Sequence, residues 1–454
     1  MIAALLQSSP ALAAPPLRVT DDHHSLVRAD GAPLFWLGDT AWLLFHRLDR
    51  AQTERYLRDR AQKGFTVIQA VALGDLEGPN MRSAAGETAL RERDPARPNE
   101  AFFQHVDWVI QRANELGLTL ALLPCWGDTW NPAAGEPRAI FDPPKARAFG
   151  KFLGRRYMGA DLVWVLGGDH KIDSDAHKQI LRAMAEGLRE GDGGAHLITF
   201  HPPGSSGSST WLHDEPWLDF NMRQNGHSAE YDPYAKTRDD WARTPPKPVL
   251  DGEPLYEDHP LAFLQNANGH SVASDVRRAL YWDLFNGAFG HTYGNHAVWQ
   301  FWTPELPPAN DPLLPWTQAI AQPGASQMSF ARKLLESRPG QRVPDDGVLV
   351  TDRVETSVPG RGRYRFVAMR DDARRWAMVY APVGRSFSVH LDAVKAHSVK
   401  ASWYDPRTGL VRVLGIYPAK GEKQFTPPNP GEQLDWILVL DDVSADFPKP
   451  GGRR

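Results

Sequence analysis

The stretch Leu162-Val163-Trp164-Val165-Leu166-Gly167-Gly168-Asp169-His170 is the most informative in the chain. Its five apolar residues read as a strand, and the two glycines that end it permit a sharp turn or close approach of another group, with a carboxylate set just beyond. The same grammar recurs on both sides. Strand-like runs at Phe35-Trp36-Leu37, Thr66 to Leu73, Thr119 to Pro124, Leu197 to Phe200, Leu218 to Asn221, Pro248 to Leu250 and around His291 to Tyr293 bring the number to eight. Helical spacing fills the intervals. Phe102, Phe103, Val106, Val109, Ile110 and Ala113 recur on one face and stop at Gly117; Ile180, Leu181, Met184 and Leu188 do the same before Gly191. Alternating strands and amphipathic helices are the pattern of parallel βα units, so residues 15–340 predict a (β/α)8 TIM barrel. Long loops follow the strands, at 74–99, 127–144, 202–216 and 294–315, whereas helix-to-strand joints such as Leu116-Gly117-Leu118 are short. Loop length therefore marks the C-terminal face as the functional one.

A last helix near Ser326 to Glu336 ends at Arg338-Pro339-Gly340, and the period then changes to two. Phe387, Val389 and Leu391 alternate with Ser386, Ser388 and His390, and Trp376 to Tyr380, Trp403-Tyr404 and Trp436 to Leu440 read as further strands. Residues 341–454 are thus expected to form a small antiparallel β-sandwich. Residues 1–14 are apolar and end Ala11-Leu12-Ala13-Ala14 before Pro15-Pro16, the look of an export signal without its positive start. The expected location is secreted or periplasmic.

The chain has 454 residues, a formal net charge of −4 and 23% charged residues in no long run of either sign, which argues against nucleic-acid or polybasic membrane partners. Nothing beyond the leader is apolar for the roughly 18 residues of a membrane span. A single cysteine, Cys125, excludes an intrachain disulfide and a thiolate metal cluster. No phosphate-cradling glycine motif, His-x-His on the first strand or His-Glu-x-x-His occurs, so neither metal nor cofactor is expected. The sequence leaves oligomeric state open.

Asp169 follows the fourth strand, and the seventh runs Val249-Leu250-Asp251-Gly252-Glu253-Pro254. Asp169 and Glu253 should then face each other over one cavity, the requirement for cleaving a glycosidic bond: one acid protonates the leaving oxygen, the other attacks the anomeric carbon or activates water. Carboxylates carried directly on strand ends should lie at the close spacing, about 5 to 5.5 Å, of a retaining mechanism. Each acid alternatively caps a helix or pairs with an arginine. Asp251 and Glu257 are rivals to Glu253, which is favoured because Gly252 and Pro254 pin its backbone. Asp39, Trp42, Trp126, His201, Asn221, Gln224, His227, Gln300 and Trp302 also fall near strand ends, where they would hydrogen-bond hydroxyls and stack on rings of an oligosaccharide or polysaccharide substrate. Sixteen tryptophans are consistent with sugar stacking, although most tryptophans fill cores.

Four motifs together, Phe35-Trp36-Leu37-Gly38-Asp39-Thr40-Ala41-Trp42, Trp164-Val165-Leu166-Gly167-Gly168-Asp169, Asp219-Phe220-Asn221-Met222-Arg223-Gln224-Asn225-Gly226-His227 and Asp251-Gly252-Glu253-Pro254-Leu255-Tyr256-Glu257, resemble the apiosidase-like proteins of glycoside hydrolase family 140. Trp403-Tyr404-Asp405-Pro406-Arg407-Thr408-Gly409 is similar to that family's C-terminal domain once labelled collagen-binding. The resemblance implies action on apiose-containing linkages of pectic side chains, with Asp169 and Glu253 as the catalytic pair. Broader retaining barrel glycosidases place Asn-Glu after strand four, where this chain has Gly168-Asp169. The rival readings are hydrolysis of another pentose or deoxysugar glycoside by the same residues, or a non-catalytic carbohydrate-binding barrel.

Overall fold

Short runs rich in Val, Ile and Leu are buried on both faces wherever helices cover both sides of a parallel sheet, and eight such runs form the core: β1 (Leu37–Thr40), β2 (Val67–Val71), β3 (Thr119–Leu123), β4 (Leu162–Gly167), β5 (Ile198–His201), β6 (Asn221–Gln224), β7 (Val249–Asp251) and β8 (Gly290–Tyr293). The computed structural model describes residues 16–453 except 75, 77, 133–138, 229–233 and 352–363, so the leader read at 1–14 lies outside the described residues. The parallel ladder runs β5-β4-β3-β2-β1-β8-β7-β6, with Ser206–Gly207 added antiparallel on β6. Between β5 and β6 the barrel is closed in another way. The Asp219 amide donates to the Ile198 carbonyl at 2.9 Å, its carboxylate accepts the Ile198 N–H at 2.7 Å, and Thr199 Oγ1 donates to the Phe220 carbonyl. This explains why the sixth strand begins at Asn221 and not at Leu218 as its apolar run implied: residues 218–220 form the seam. The first strand likewise begins later than expected, at Leu37, because the Thr66 hydroxyl binds the Phe35 carbonyl and the Leu37 N–H in place of a strand neighbour. Trp36, Phe220 and Phe289 meet edge to face below the strands and plug the barrel opposite its mouth.

The helices that bear on the argument are α1 (Arg50–Gln62), α2 (Glu100–Glu115), α3 (Pro143–Tyr157), α4 (Asp175–Asp192), α5 (Tyr234–Trp241), α6 (Ala273–Phe285) and α7 (Pro323–Glu336). Gly191, expected to end α4, lies inside it, and the left-handed cap is Gly193. Gly187 and Gly191 on α4 face Gly150 and Gly154 on α3, where any Cβ would run into the opposite backbone. Their role is close helix approach, not termination.

The C-terminal strands are β9 (Arg342–Pro344), β10 (Leu349–Thr351), β11 (Val367–Asp371), β12 (Trp376–Ala381), β13 (Phe387–His390), β14 (Ser398–Tyr404), β15 (Val411–Pro418), β16 (Glu422–Phe425) and β17 (Trp436–Asp442). They make a six-stranded sheet, β9-β11-β12-β17-β14-β15, and a three-stranded one, β10-β13-β16. Period-two alternation sends Ala377, Val379, Leu438 and Leu440 toward the small sheet. Trp376, Met378, Tyr380, Ile437 and Val439 join the barrel's own core instead. The large sheet is therefore covered on both sides, and the barrel supplies its second layer. Buried ion pairs cross the seam, Arg277 to Asp435 and Arg338 to Asp441, each with two bonds of 2.7–3.0 Å.

Candidate active site

Strand β4 ends in a backbone that only its neighbours can hold. Gly167, Gly168 and Asp169 have φ of +99°, +98° and +61° in succession, a left-handed run unfavourable for a residue with a Cβ. A Cβ at 167 would lie 2.3 Å from the His201 carbonyl oxygen, and one at 168 would lie 2.8 Å from the Gly127 nitrogen. The chain is clamped there by bonds from Gly168 N–H to the His201 carbonyl, Gly127 N–H to the Gly168 carbonyl and Trp130 Nε1 to the Gly167 carbonyl. The clamp presents Asp169 at the mouth. Asp169 is exposed at the mouth, although the surrounding protein still desolvates its carboxyl.

Glu253 is buried and held at every backbone atom that can bond. Gln69 on β2 reaches across the barrel to donate to the Gly252 carbonyl at 2.8 Å, and Gly252 N–H donates to the Arg223 carbonyl. The Glu253 N–H donates to Asp251 Oδ1 at 3.2 Å, and its carbonyl accepts from Gly226 N–H. Two imidazoles flank the carboxylate: His227 Nε2 stands 3.1 Å from Oε1 and His201 Nε2 3.0 Å from Oε2. His201 Nδ1 accepts the Asp169 N–H at 3.3 Å, which leaves that ring's proton on Nε2 beside Glu253. One imidazole therefore links the Glu253 carboxylate to the Asp169 backbone. Its approach to Oε2 is oblique, so Oε2 and His201 Nε2 both lack a well-aligned partner, as do the buried His227 Nδ1 and Gln224 Oε1. Orphaned polar atoms in such a band are what a polyhydroxylated ligand would satisfy.

The two acids differ in protonation. Burial and then the negative charge of Glu253 raise the Asp169 pKa to about 6 against the pull of His201, His170 and a Gln224 hydrogen bond. Burial acts to raise Glu253 too, but the two flanking imidazoles of His201 and His227 outweigh it and bring the pKa down to about 2. Between those values one carboxyl holds a proton and the other is ionised, the condition for general-acid and nucleophilic roles in one pocket.

The rivals in the seventh-strand motif are engaged elsewhere. Glu257 accepts from Tyr293 Oη at 2.5 Å and from Gly324 N–H at 3.0 Å, so it caps α7. Asp251 points behind the strand into a buried group with Asp283 and His291, whose ligating atoms lie within 4.8 Å of one another. Hydrogen bonds already occupy their oxygens: Asn225 Nδ2 on Asp251, Thr237 Oγ1 and His291 Nδ1 on Asp283.

Of the residues expected to line the mouth, His201, His227 and Gln224 come together around the acids. Trp42 and Trp126 sit against His201, with ring centroids 5.2 and 5.8 Å from it, and both are largely buried. They wall the imidazole and offer little open face. Asp39, Asn221 and Gln300 are turned to structural work, and Trp302 keeps a partly exposed ring. Asp39 is fully buried, bonded to Arg60 and Tyr56 of α1 at 2.7 and 2.5 Å. Asn221 bonds Ser208 and His213, and Gln300 is satisfied by the backbones of His296 and Ala309. Half-buried Trp302 donates to the Leu306 carbonyl. On alternating strands the residue beside an inward-facing one points to the helix layer, which is where Asp39 and Asn221 go. Two residues at the site were not anticipated, Gln69 and Tyr256. The signal for Gln69 was a lone amide in the apolar run Val67-Ile68-Gln69-Ala70-Val71; the Tyr256 hydroxyl lies among Thr40, Trp42 and Glu253.

Two carboxyls on strand ends over one barrel mouth are the arrangement a glycoside hydrolase requires. The model of the apiosidase-like catalytic domain matches residues 20–341, and one named for the collagen-binding domain of a collagenase matches 343–441. The chain belongs to the apiosidase-like family. A solved glycoside hydrolase is 31% identical over 96% of this chain and 98% of its own, with a TM-score of 0.86. A family 5 glycoside hydrolase from Bacteroides vulgatus is 30% identical over 96% and 94%, also with a TM-score of 0.86. No curated protein sequence matches the chain.

Proposed function

We propose that this hydrolase releases apiose from plant pectic side chains outside the cytoplasm, by a retaining double displacement. Glu253, ionised between two imidazoles, attacks the anomeric carbon while Asp169 gives its proton to the departing oxygen. A glycosyl ester on Glu253 results. Asp169, now ionised, takes a proton from water, whose oxygen attacks the same carbon and frees Glu253. The observation that carries this reading is two carboxyls on strand ends of one barrel mouth, Glu253 flanked by the His201 and His227 imidazoles and Asp169 clamped beside His201. Apiose follows from the family model, and export from the sequence of residues 1–14.

The test is a screen of purified protein against rhamnogalacturonan II fragments and aryl glycosides of apiose, other pentoses and deoxysugars. Proton NMR then reads the first-formed sugar before mutarotation. Release of apiose with its anomeric configuration kept supports the reading. Preference for another sugar refutes the substrate, and an inverted product refutes the mechanism.

A further inference from the structure

The Glu253 N–H meets no backbone carbonyl; its acceptor is the side chain of Asp251, two residues earlier, at 3.2 Å. Apart from that bond, the Asp251 carboxyl turns away from the mouth. Its Oδ2 accepts from Asn225 Nδ2 at 2.7 Å, and a carboxyl oxygen of Asp283 of α6 lies within 4.8 Å of it. Asp283 in turn accepts from Thr237 of α5 at 3.1 Å and lies 2.9 Å from His291 Nδ1 of β8. Two carboxyls, an imidazole, a hydroxyl and an amide drawn from β7, β8, two helices and the β6 loop thus converge behind one peptide. All are buried. Burial and the nearness of the two negative charges both oppose ionisation of the pair, which favours one proton held there.

We propose that the buried Asp251–Asp283 pair is the positioning device of the nucleophile, with Asp251 setting the direction of the Gly252–Glu253 peptide and so the seat of the Glu253 carboxylate between His201 and His227. Gln69 fixes the same peptide from the barrel side through the Gly252 carbonyl. The peptide is gripped from two faces, and loss of the rear grip lets it rotate. The pair's proton bears on the choice of residue. Burial and the neighbouring Asp283 charge raise Asp251 well above the carboxylate range, and Asp283 itself is pushed up, chiefly by burial, to about 7. A protonated Asp251 donates to Asp283 and accepts from the Glu253 N–H. An asparagine at 251 keeps an acceptor for the Glu253 N–H and a donor toward Asp283, at the cost of the bond from Asn225 Nδ2, and an alanine keeps neither.

This inference rests on Glu253 being the nucleophile, and its test has one arm that needs no turnover. In the full-length protein labelled with 15N-histidine, the imidazole resonances of His201 and His227 report their contacts with Glu253. Asp251→Ala should move both and Asp251→Asn should leave them near their wild-type positions. On an aryl glycoside, Asp251→Ala should lower kcat by about 100-fold with KM within about twofold, the signature of a displaced catalytic group, and Asp251→Asn should restore most of it. Wild-type imidazole resonances in folded Asp251→Ala protein overturn the proposal, as does an Asp251→Asn variant as damaged as the alanine one. If the alanine variant does not fold, Asp283→Asn replaces it, removing the negative charge and exchanging one acceptor oxygen beside Asp251 for a donor at nearly constant volume. Shifted imidazoles there support the proposal and unshifted ones refute it. A wild-type protein that hydrolyses no glycoside refutes the functional reading instead, and the resonances still decide the positioning role.

Discussion

Glu253→Gln keeps the side-chain volume beside Asp169 and removes one negative charge, so it separates the two causes that raise the Asp169 pKa to about 6. Burial is the larger and is untouched. If the carboxyls stand at the roughly 5.5 Å expected of a retaining pair, two unit charges at an effective dielectric of about 20 repel by about 3 kcal/mol, some 2 pKa units. Asp169 is reached by solvent, which screens that repulsion by about half. The variant should therefore lower the Asp169 pKa by about 1 unit. The assay is a 13C-carboxyl NMR titration of aspartate-labelled protein, with Asp169→Asn used to assign the resonance. An unchanged or higher pKa in Glu253→Gln would show that the acids are not electrostatic neighbours and would refute the mechanism. In the wild type the sign for activity is set by the two required states. Asp169 must be protonated, so kcat/KM falls as pH rises through about 6; Glu253 must be ionised, so it falls as pH drops through about 2. By pH 8 only about 1% of Asp169 would carry its proton.

Asp169→Asn and Glu253→Gln should each lower kcat by at least about a thousandfold with unchanged circular dichroism; near-wild-type turnover by either folded variant removes that residue from the mechanism. Glu257→Gln should retain activity per folded molecule but lose about 1–3 kcal/mol in urea unfolding, because its bonds to Tyr293 and Gly324 hold α7. A dead but fully stable variant would reverse that assignment. A chain ended at Pro339 should be insoluble: it strips the sheet face bearing Trp376, Met378 and Tyr380 from the barrel and leaves Arg277 buried without Asp435. Soluble, active protein would make the sandwich an accessory module.

The architecture was legible in the chain because it depends on local periodicity. Apolar runs separated by helical spacing reported a parallel barrel, and Phe387, Val389 and Leu391 marked the change to a period of two. The candidate acids were legible for a related reason: Gly167-Gly168-Asp169 and Gly252-Glu253-Pro254 put a carboxylate directly after a strand, and a strand end in a barrel has only one place to be. Orientation could not be read this way. Asp251, Glu253 and Glu257 lie within seven residues of one another in a single motif, yet their fates are set by partners far along the chain, Asp283 and His291 for the first, His201 and His227 for the second, Tyr293 and Gly324 for the third. Asp39 and Asn221 turn to the helix layer for the same reason, since whether a strand-end side chain faces the mouth depends on the seam and on the register of its neighbours. Residue type and spacing determined what chemistry was present near the mouth; long-range hydrogen bonding, which no local pattern encodes, decided which carboxyl meets solvent, which stays protonated and which merely holds a helix.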